Sequence, residues 1–254
     1  MRKIAVENLG ENEVLNDLLG YEGMQIIQRN DMLNFSLDSV LLSRFVQIPA
    51  KTKKILDFGT GNAPIPLFLS TRTAAKIIGI DIQQEAVDLA IRNIKLNALE
   101  DQIKIICHDI NTLEMIFEQQ SADVVVSNPP FFKVGESGQQ NENEYLKIAR
   151  HEVSLDVEQL IAKASFVLNN NGYFALVHRP QRLIEIIELL QKHRLEPKRL
   201  QFVYPKDGTR ANMILIEARK NGNPGMEIET PIIVHNADGS YRDEILKIFQ
   251  RIKE

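Results

Sequence analysis

Tryptophan is absent from the 254 residues, cysteine occurs once and aromatic residues make up 6%. The single cysteine, Cys107, excludes an intramolecular disulfide framework and fits a reducing compartment. At the end of a strand pattern it reads as a small, buried and unreactive residue. No apolar run approaches the ~18 residues of a membrane span. The opening Met1-Arg2-Lys3-Ile4-Ala5-Val6-Glu7-Asn8 holds no apolar signal core. A soluble cytoplasmic protein is expected. The five histidines (His108, His151, His178, His193 and His235) lack metal-ligand spacing, so no metal is expected. An excess of positive charge is missing too. Thirty-four acidic residues against 30 basic ones give a net charge of −4, which argues against coating nucleic acid by charge alone. The balance is uneven, however. Between His178 and Lys220 ten Lys/Arg meet five Asp/Glu, a net of +5 that leaves −9 elsewhere. That segment is either ordinary solvated surface or a face turned toward phosphates.

With 44% hydrophobic residues, the chain can bury a full core without staples. It reads as one domain over 1–254, with an N-terminal segment (1–50), a core (51–220) and an extension (221–254). Asp38 to Val46 predicts a short helix with Asp38 as its N-cap. Strands are then expected at 54–58, 76–81, 103–107, 122–127 and 172–177. The helical patterns between and after them cover a start at Pro64 or Pro66, then 83–97, 113–117, 156–168 and 183–190. This alternation means parallel βαβ units. The runs Ile77-Ile78 and Val124-Val125-Val126 fit strands buried on both faces. Segments 200–204 and 212–218 predict a closing antiparallel pair. The fold class is therefore α/β: a Rossmann-like, mostly parallel seven-stranded sheet with an antiparallel end. The tail adds a possible strand (231–234), an Asp238-Gly239 turn and a helix (242–252).

Ligands of an open parallel sheet sit beyond the carboxyl ends of its strands. Three such ends carry suitable chemistry. Asp57-Phe58-Gly59-Thr60-Gly61 has two close glycines that let the backbone approach a ligand, and an acid that can meet a cationic amino group. Asp81, twenty residues after Gly61, can accept both hydroxyls of a ribose. His108-Asp109-Ile110 can meet an adenine amino group through Asp109, with Ile110 against the ring. A dinucleotide site shares the first two features, but the third glycine of its fingerprint would fall on Pro64. The bland reading of Asp81 is an acid at the start of the following helix.

Asn128-Pro129-Pro130-Phe131, directly after the strand 122–127, is the most specific signal. Two prolines and an asparagine could simply stop a strand, but that leaves Phe131 and Phe132 unexplained. An exocyclic amine is a poor nucleophile because its lone pair is delocalised into the ring. The Asn128 side-chain carbonyl and the Pro129 backbone carbonyl can each accept one of its N–H groups. The prolines stiffen this arrangement. Phe131 offers a face on which an extruded base can stack.

Taken together, these residues resemble the class I S-adenosylmethionine-dependent amino methyltransferases. Within them the chain looks like the bacterial tRNA adenine-N6 methyltransferases that act beside the anticodon of a valine tRNA. Phe35-Ser36-Leu37-Asp38-Ser39-Val40-Leu41-Leu42 and Arg150-His151-Glu152 add to the likeness, which covers roughly residues 20–220. Ala63 stands where a third glycine is commoner. Phe131 stands where tyrosine is common, and phenylalanine also occurs in enzymes that methylate guanine N2 in ribosomal RNA. The resemblance implies an enzyme with S-adenosylmethionine as cofactor, a tRNA partner and adenine N6 as acceptor. It implies cofactor contacts at Asp38, Asp57, Gly59, Thr60, Gly61, Asp81, Ile82, Asp109, Ile110 and Asn128, and catalysis at Asn128, Pro129, Pro130 and Phe131. Guanine N2 of ribosomal RNA, a glutamine amide of a protein, and a catalytically silent RNA-binding protein stay open as alternatives. Candidate RNA contacts are Lys133, Arg150, Arg179 and Arg210, with His151, Arg182 and Lys206 beside them.

Overall fold

Strand β3 (Lys54–Phe58) is an inner strand of the sheet, flanked by β4 (Lys76–Asp81) and β6 (Ala122–Ser127), both parallel to it. The computed structural model describes residues 9–10, 12–18, 23–30, 37–130 and 156–250, with Phe249 and Gln250 described by backbone alone. Strand β5 (Ile103–Cys107) pairs parallel to β4, and β7 (Leu168–His178) parallel to β6. These strands are parallel because a helical crossover separates each from the next in sequence. Strand β8 (Leu195–Lys206) follows α5 (Leu183–Lys192), and β9 (Met213–Lys220) inserts antiparallel between β7 and β8. The expected seven strands thus run in the order β8-β9-β7-β6-β3-β4-β5.

The sheet itself is larger than expected, with nine strands among the described residues. Two short strands from the extension, β10 (Glu227–Ile228) and β11 (Ile232–His235), lie end to end along the free edge of β8, parallel to it. A 12-residue edge strand would otherwise offer a long row of unpaired backbone groups. Arg199 fixes this addition: it bonds Glu229 at 2.7 Å and buried Glu217 at 3.2 Å, and its guanidinium lies 4.4 Å from the centre of the Phe45 ring. Strand β7 begins earlier than its apolar run, because Asn169 to Asn171 join it across an irregular register with β6.

Helices α1 (Leu37–Phe45), α2 (Pro64–Ser70) and α3 (Gln84–Leu96) cover one face around Leu42, Leu67 and Ile94. Ile248 of α6 (Asp243–Gln250) packs on the same core. Helices α4 (Val157–Val167) and α5 cover the other face around Ile161, Ile186 and Leu190. Asp38 falls in the first turn of α1 rather than at its cap, since the helix already includes Leu37. The helix expected at 113–117 is a 3₁₀ turn over Ile110–Met115, capped by Asp109. Cys107 is exposed rather than buried, because β5 is the uncovered edge of the sheet. Partial desolvation, then the charges of Asp81 and Asp88, push its thiol pKa up, away from reactivity.

An N-terminal hairpin, β1 (Glu13–Asp17) with β2 (Gln25–Arg29), was not visible in the sequence. It docks on α3 through two asparagines one helical turn apart. Asn93 accepts from the Ile27 N–H at 2.7 Å and returns its amide to the Ile27 carbonyl at 3.1 Å. Asn97 does the same with Gln25, at 2.9 and 2.7 Å. Each side-chain amide thereby stands in for the next strand's backbone, satisfying β2 where no strand exists. Arg92 adds a charge-assisted bond to Glu13 at 2.8 Å.

Asn93 has no exposed surface, whereas Asn97 is half-buried. Replacing Asn93 by alanine removes the partner of the Ile27 N–H and the Asn93 bond to the Asn62 carbonyl, while Asn62 still donates to the Ile27 carbonyl; the cost is about 2–3 kcal/mol. The expected fall in melting temperature is roughly 5–10 °C. Asn97→Ala, where water can substitute, lowers it by less than half as much. Thermal unfolding of the two variants checks this, and equal losses would contradict the strand-mimic account.

Candidate active site

The chain leaves β3 at Phe58 and turns at once over the end of β4. The N–H groups of Gly59 and Thr60 both donate to the Ile80 carbonyl, at 2.9 and 3.0 Å. Gly59 and Gly61 take φ of +73° and +54°, conformations that disfavour a side chain. Ala63, in the position of the third glycine, also has φ +67° and lies fully buried before α2. It carries that strain as a non-glycine residue. Asn93 donates to the Asn62 carbonyl at 2.9 Å, and Asn62 donates to Ile27 at 3.1 Å. The same asparagine that holds the hairpin therefore holds the glycine loop.

Asp57 sits at the centre of this arrangement with no exposed surface. One of its oxygens accepts from the Thr60 hydroxyl at 2.7 Å; the other, Oδ1, is buried without a partner. Burial raises its pKa to about 7, with the charge of Asp81 adding to the rise and Thr60 opposing it. Gly79, across the ladder from Asp57, makes the contact possible: a Cβ there would meet the Thr60 hydroxyl at 2.6 Å. Thr60, 3% exposed, thus serves Asp57 rather than offering its hydroxyl to a ligand. Asp81 accepts from Gly61 at 2.8 Å and from Gln83 at 3.0 Å. Asp81 thus ties the glycine loop to the beginning of α3, as the helix-start reading expects. Burial raises its pKa as well, against the backbone bonds that lower it. Asp109 accepts from the Asn111 N–H at 2.8 Å. Ile110 packs into the core at 6% exposure, so its side chain has no face to offer a ring; Ile82, 43% exposed, has one.

Asn128 follows β6 on the same edge of the sheet. Its side-chain amide donates to the hydroxyl of Ser39 at 3.1 Å, and Ser39 is buried in the first turns of α1. That bond uses the nitrogen end of the amide and leaves its carbonyl oxygen as the acceptor. Pro129 is buried and Pro130 half-buried behind it. The sequence signal for Ser39 was present, in the Leu37-Asp38-Ser39 segment, but its target was not. Phe131, Lys133, Arg150 and His151 lie outside the described residues. His178, at the end of β7, is buried and accepts from the Arg179 N–H at 2.8 Å. Burial, then the charge of Arg182, depresses its pKa to about 4, so it stays neutral.

The positive stretch divides on inspection. Arg182 is committed to Glu185 at 2.6 and 2.8 Å, Arg199 to Glu217 and Glu229, and Lys192 to Glu158. Lys220, 6% exposed, caps α4 by donating to the carbonyls of Leu168 and Ser165. Part of the segment's positive charge is therefore committed to partners within the protein. Arg179, Lys206 and Arg210 remain at the ligand edge. Arg179 bonds the Asn212 carbonyl at 3.0 Å, and Arg210 is exposed.

The residues fit S-adenosylmethionine. The buried, unpartnered oxygen of Asp57 suits an ammonium group. Asp81 keeps acceptor capacity for ribose hydroxyls, and the glycine loop leaves open space where a Cβ would stand at Gly59 and Gly61.

Comparison with known proteins agrees with this geometry. Residues 49–219 match the family described as "Methyltransferase domain". The tRNA1(Val) (adenine(37)-N6)-methyltransferase of Porphyromonas gingivalis is 31% identical over 91% of this chain and 93% of its own. The protein of the same name from Tolumonas auensis is 27% identical over 90% and 93%. Among solved structures, a predicted O-methyltransferase from Agrobacterium tumefaciens superposes with a TM-score of 0.68 at 20% identity, over 85% of this chain and 98% of that one. A geranyl diphosphate methyltransferase in complex with SAM gives 0.56 at 12% identity, over 72% and 84%. The glycine loop, the buried acids and the Asn-Pro-Pro turn thus stand in a chain that belongs to the methyltransferase-domain family, in the branch of the bacterial tRNA1(Val) (adenine(37)-N6)-methyltransferases.

Proposed function

We propose that the protein methylates the exocyclic N6 amine of an adenine in tRNA, using S-adenosylmethionine, in the cytoplasm. The whole chain acts as one catalytic unit, with 51–220 as its core and 221–254 as an edge extension. The observation that carries the reading is the orientation of Asn128: Ser39 holds its nitrogen end, so its carbonyl oxygen is the free acceptor at the edge where the glycine loop lies. The name printed for the relatives, together with that acceptor, favours adenine in tRNA over a protein amide.

S-adenosylmethionine supplies an electrophilic methyl on a sulfonium centre. Asp57 would hold its ammonium, Asp81 its ribose hydroxyls, and Asp109 with Ile82 would border its adenine. Gly59 and Gly61 keep the backbone close enough to line the cleft. The acceptor amine donates one hydrogen to the Asn128 side-chain oxygen and the other to the Pro129 carbonyl. Holding both hydrogens turns the nitrogen lone pair toward the methyl and favours pyramidal nitrogen. Alignment then supplies much of the rate, and the preorganised acceptors stabilise the charge that develops on nitrogen. Once the methyl–sulfonium bond has broken to leave a neutral thioether, the methylated, positively charged nitrogen loses one proton to water, so no strong base is required. His178, neutral and buried, serves structure here. Phe131 is assigned to stacking on the base.

Purified protein with labelled S-adenosylmethionine and total tRNA from a strain lacking it is expected to yield N6-methyladenosine, identified by nucleoside mass spectrometry. Label appearing only in ribosomal RNA, or in a protein glutamine, would overturn the substrate while keeping the site. Asn128→Ala is expected to bind S-adenosylmethionine within about threefold of wild type and lose roughly 10²–10³ in kcat, as losing one preorganised polar contact does elsewhere. Ser39→Ala frees the amide without removing it and costs about tenfold in kcat. Wild-type turnover in Ser39→Ala would refute the positioning role.

The buried acid makes a stability prediction. Asp57 has a folded-state pKa raised from 3.8 to about 7. The folded state therefore holds an extra proton across that window, and the stability it confers is lost as pH rises through it. Asp57→Asn should melt higher than wild type at pH 8 in the absence of ligand, with little difference at pH 4, and should bind S-adenosylmethionine more than tenfold more weakly. Thermal unfolding at both pH values, with cofactor titration, checks the pair.

A further inference from the structure

The extension 221–254 does more than cover an edge. Strands β7 and β9 pair antiparallel with His178 opposite Ile214, and β8 and β9 with Val203 opposite Met213. The loop from Asp207 to Asn212 therefore lies beyond the carboxyl end of β7, on the edge that carries the glycine loop and Asn128. Strand β11 runs parallel to β8 with His235 beside Lys206, so its end reaches the same edge. From β6 the order outward is β7, β9, β8, β11. Four inter-strand steps of about 4.8 Å, together with the run of β8 from Gln201, level with Asn128, to Lys206 at about 3.3 Å per residue, place the end of β11 roughly 25 Å from Asn128. At ~3.4 Å per stacked nucleotide that is about seven nucleotides.

An aromatic pair stands there. The His235 and Tyr241 rings stack with centroids 4.8 Å apart at an interplanar angle of 27°, and Tyr241 is 41% exposed. The turn between them is braced. Asn236 donates to the Ser240 carbonyl at 2.8 Å and its side chain to the Tyr241 carbonyl at 3.3 Å, while Asp238 holds the Ser240 hydroxyl at 2.6 Å. His235 Nδ1 meets the Pro205 carbonyl at 3.1 Å. Lys206 reaches the Ala237 carbonyl at 3.5 Å, joining the turn to the 207–212 loop, and Arg179 joins that loop to β7. Exposed Arg210 rises from the same loop. The acids nearby are Asp207, bonded to Gly208, Asp238, occupied by Ser240, and exposed Asp243 and Glu244 in the first turn of α6.

We propose that the His235–Tyr241 pair is a base-stacking platform. With Lys206 and Arg210 it would extend the RNA surface from the catalytic edge to a flanking unpaired nucleotide of the substrate. A flat, preordered ring beside cations is the chemistry that recognises single-stranded nucleic acid. Single-stranded loops are where RNA exposes bases to such rings. The proposal rests on the tRNA reading above.

The test measures binding of valine tRNA by wild type, Tyr241→Phe, Tyr241→Leu and Arg210→Ala, with melting temperature and S-adenosylmethionine affinity followed in each. Tyr241→Leu keeps apolar bulk but no ring. It is expected to weaken tRNA binding by about fivefold to a hundredfold, the range for one stacked base, while S-adenosylmethionine affinity holds within twofold. Tyr241→Phe keeps the ring and should bind tRNA within about twofold of wild type. Arg210→Ala should reduce the salt slope of binding by about 0.7–0.9. Wild-type tRNA affinity in Tyr241→Leu, or a loss shared equally by Tyr241→Phe, would overturn the platform. A wild-type protein that neither binds nor methylates tRNA would instead remove the functional reading beneath it.

Discussion

Asp57 is an acid in an inner strand of the sheet, fully buried, with one oxygen bonded to Thr60 and the other unpaired. In the absence of a ligand that arrangement opposes folding, because a desolvated carboxylate either neutralises or stays uncompensated. The surroundings are built to tolerate it. Gly79 has no side chain, so Thr60 can reach it; the glycine turn brings Thr60 into place; and Asp81 holds Gly61 from the next strand. Two buried acids whose pKa values both rise mark a site waiting for a cation and for donors. An ammonium and a ribose supply both.

The rest of the structure supports that cluster from outside. The loop that carries Gly61 continues through Asn62 to Asn93, and Asn93 continues to the hairpin at Ile27. An element that never enters the parallel sheet thereby sets the backbone of the cofactor loop. On the other side, α1 delivers Ser39 to Asn128, so the acceptor group is oriented by a helix that precedes the sheet in the chain. The geometry of the proposed site thus draws on the N-terminal segment as well as on the core.

The fold was legible where one interaction dominated. Strands 54–58, 76–81 and 122–127 coincide with the observed ones because buried inner strands write apolar runs; 103–107 coincides too, although it is the sheet's edge and only partly buried. Asp57, Asp81, Asp109 and Asn128 were legible from their places at strand ends, and the structure sets all four at one edge of one sheet. What escaped was contact between distant polar residues. Asn93 and Asn97 read as solvated positions on an amphipathic helix, yet they serve as a surrogate strand. Glu13-Val14-Leu15-Asn16-Asp17 is too polar to announce itself as a strand without its partner. Ile110 and Cys107 exchanged expected environments, since neither burial nor edge position is written in a five-residue strand. The positive segment was misleading for a related reason: charge is countable in sequence, but pairing is not, and Arg182, Arg199 and Lys220 are all engaged.

The central claim is that Asp57 is the protonated, buried acid that a bound ammonium ionises. Calorimetric titration of S-adenosylmethionine at pH 7, in buffers of differing ionisation enthalpy, measures the protons released on binding. With a pKa of about 7 in the free protein, the account predicts release of about half a proton or more per molecule bound, rising at pH 6 and fading at pH 8. Binding with no proton release across that range would mean that Asp57 is already ionised or never meets the ligand, and would contradict the account.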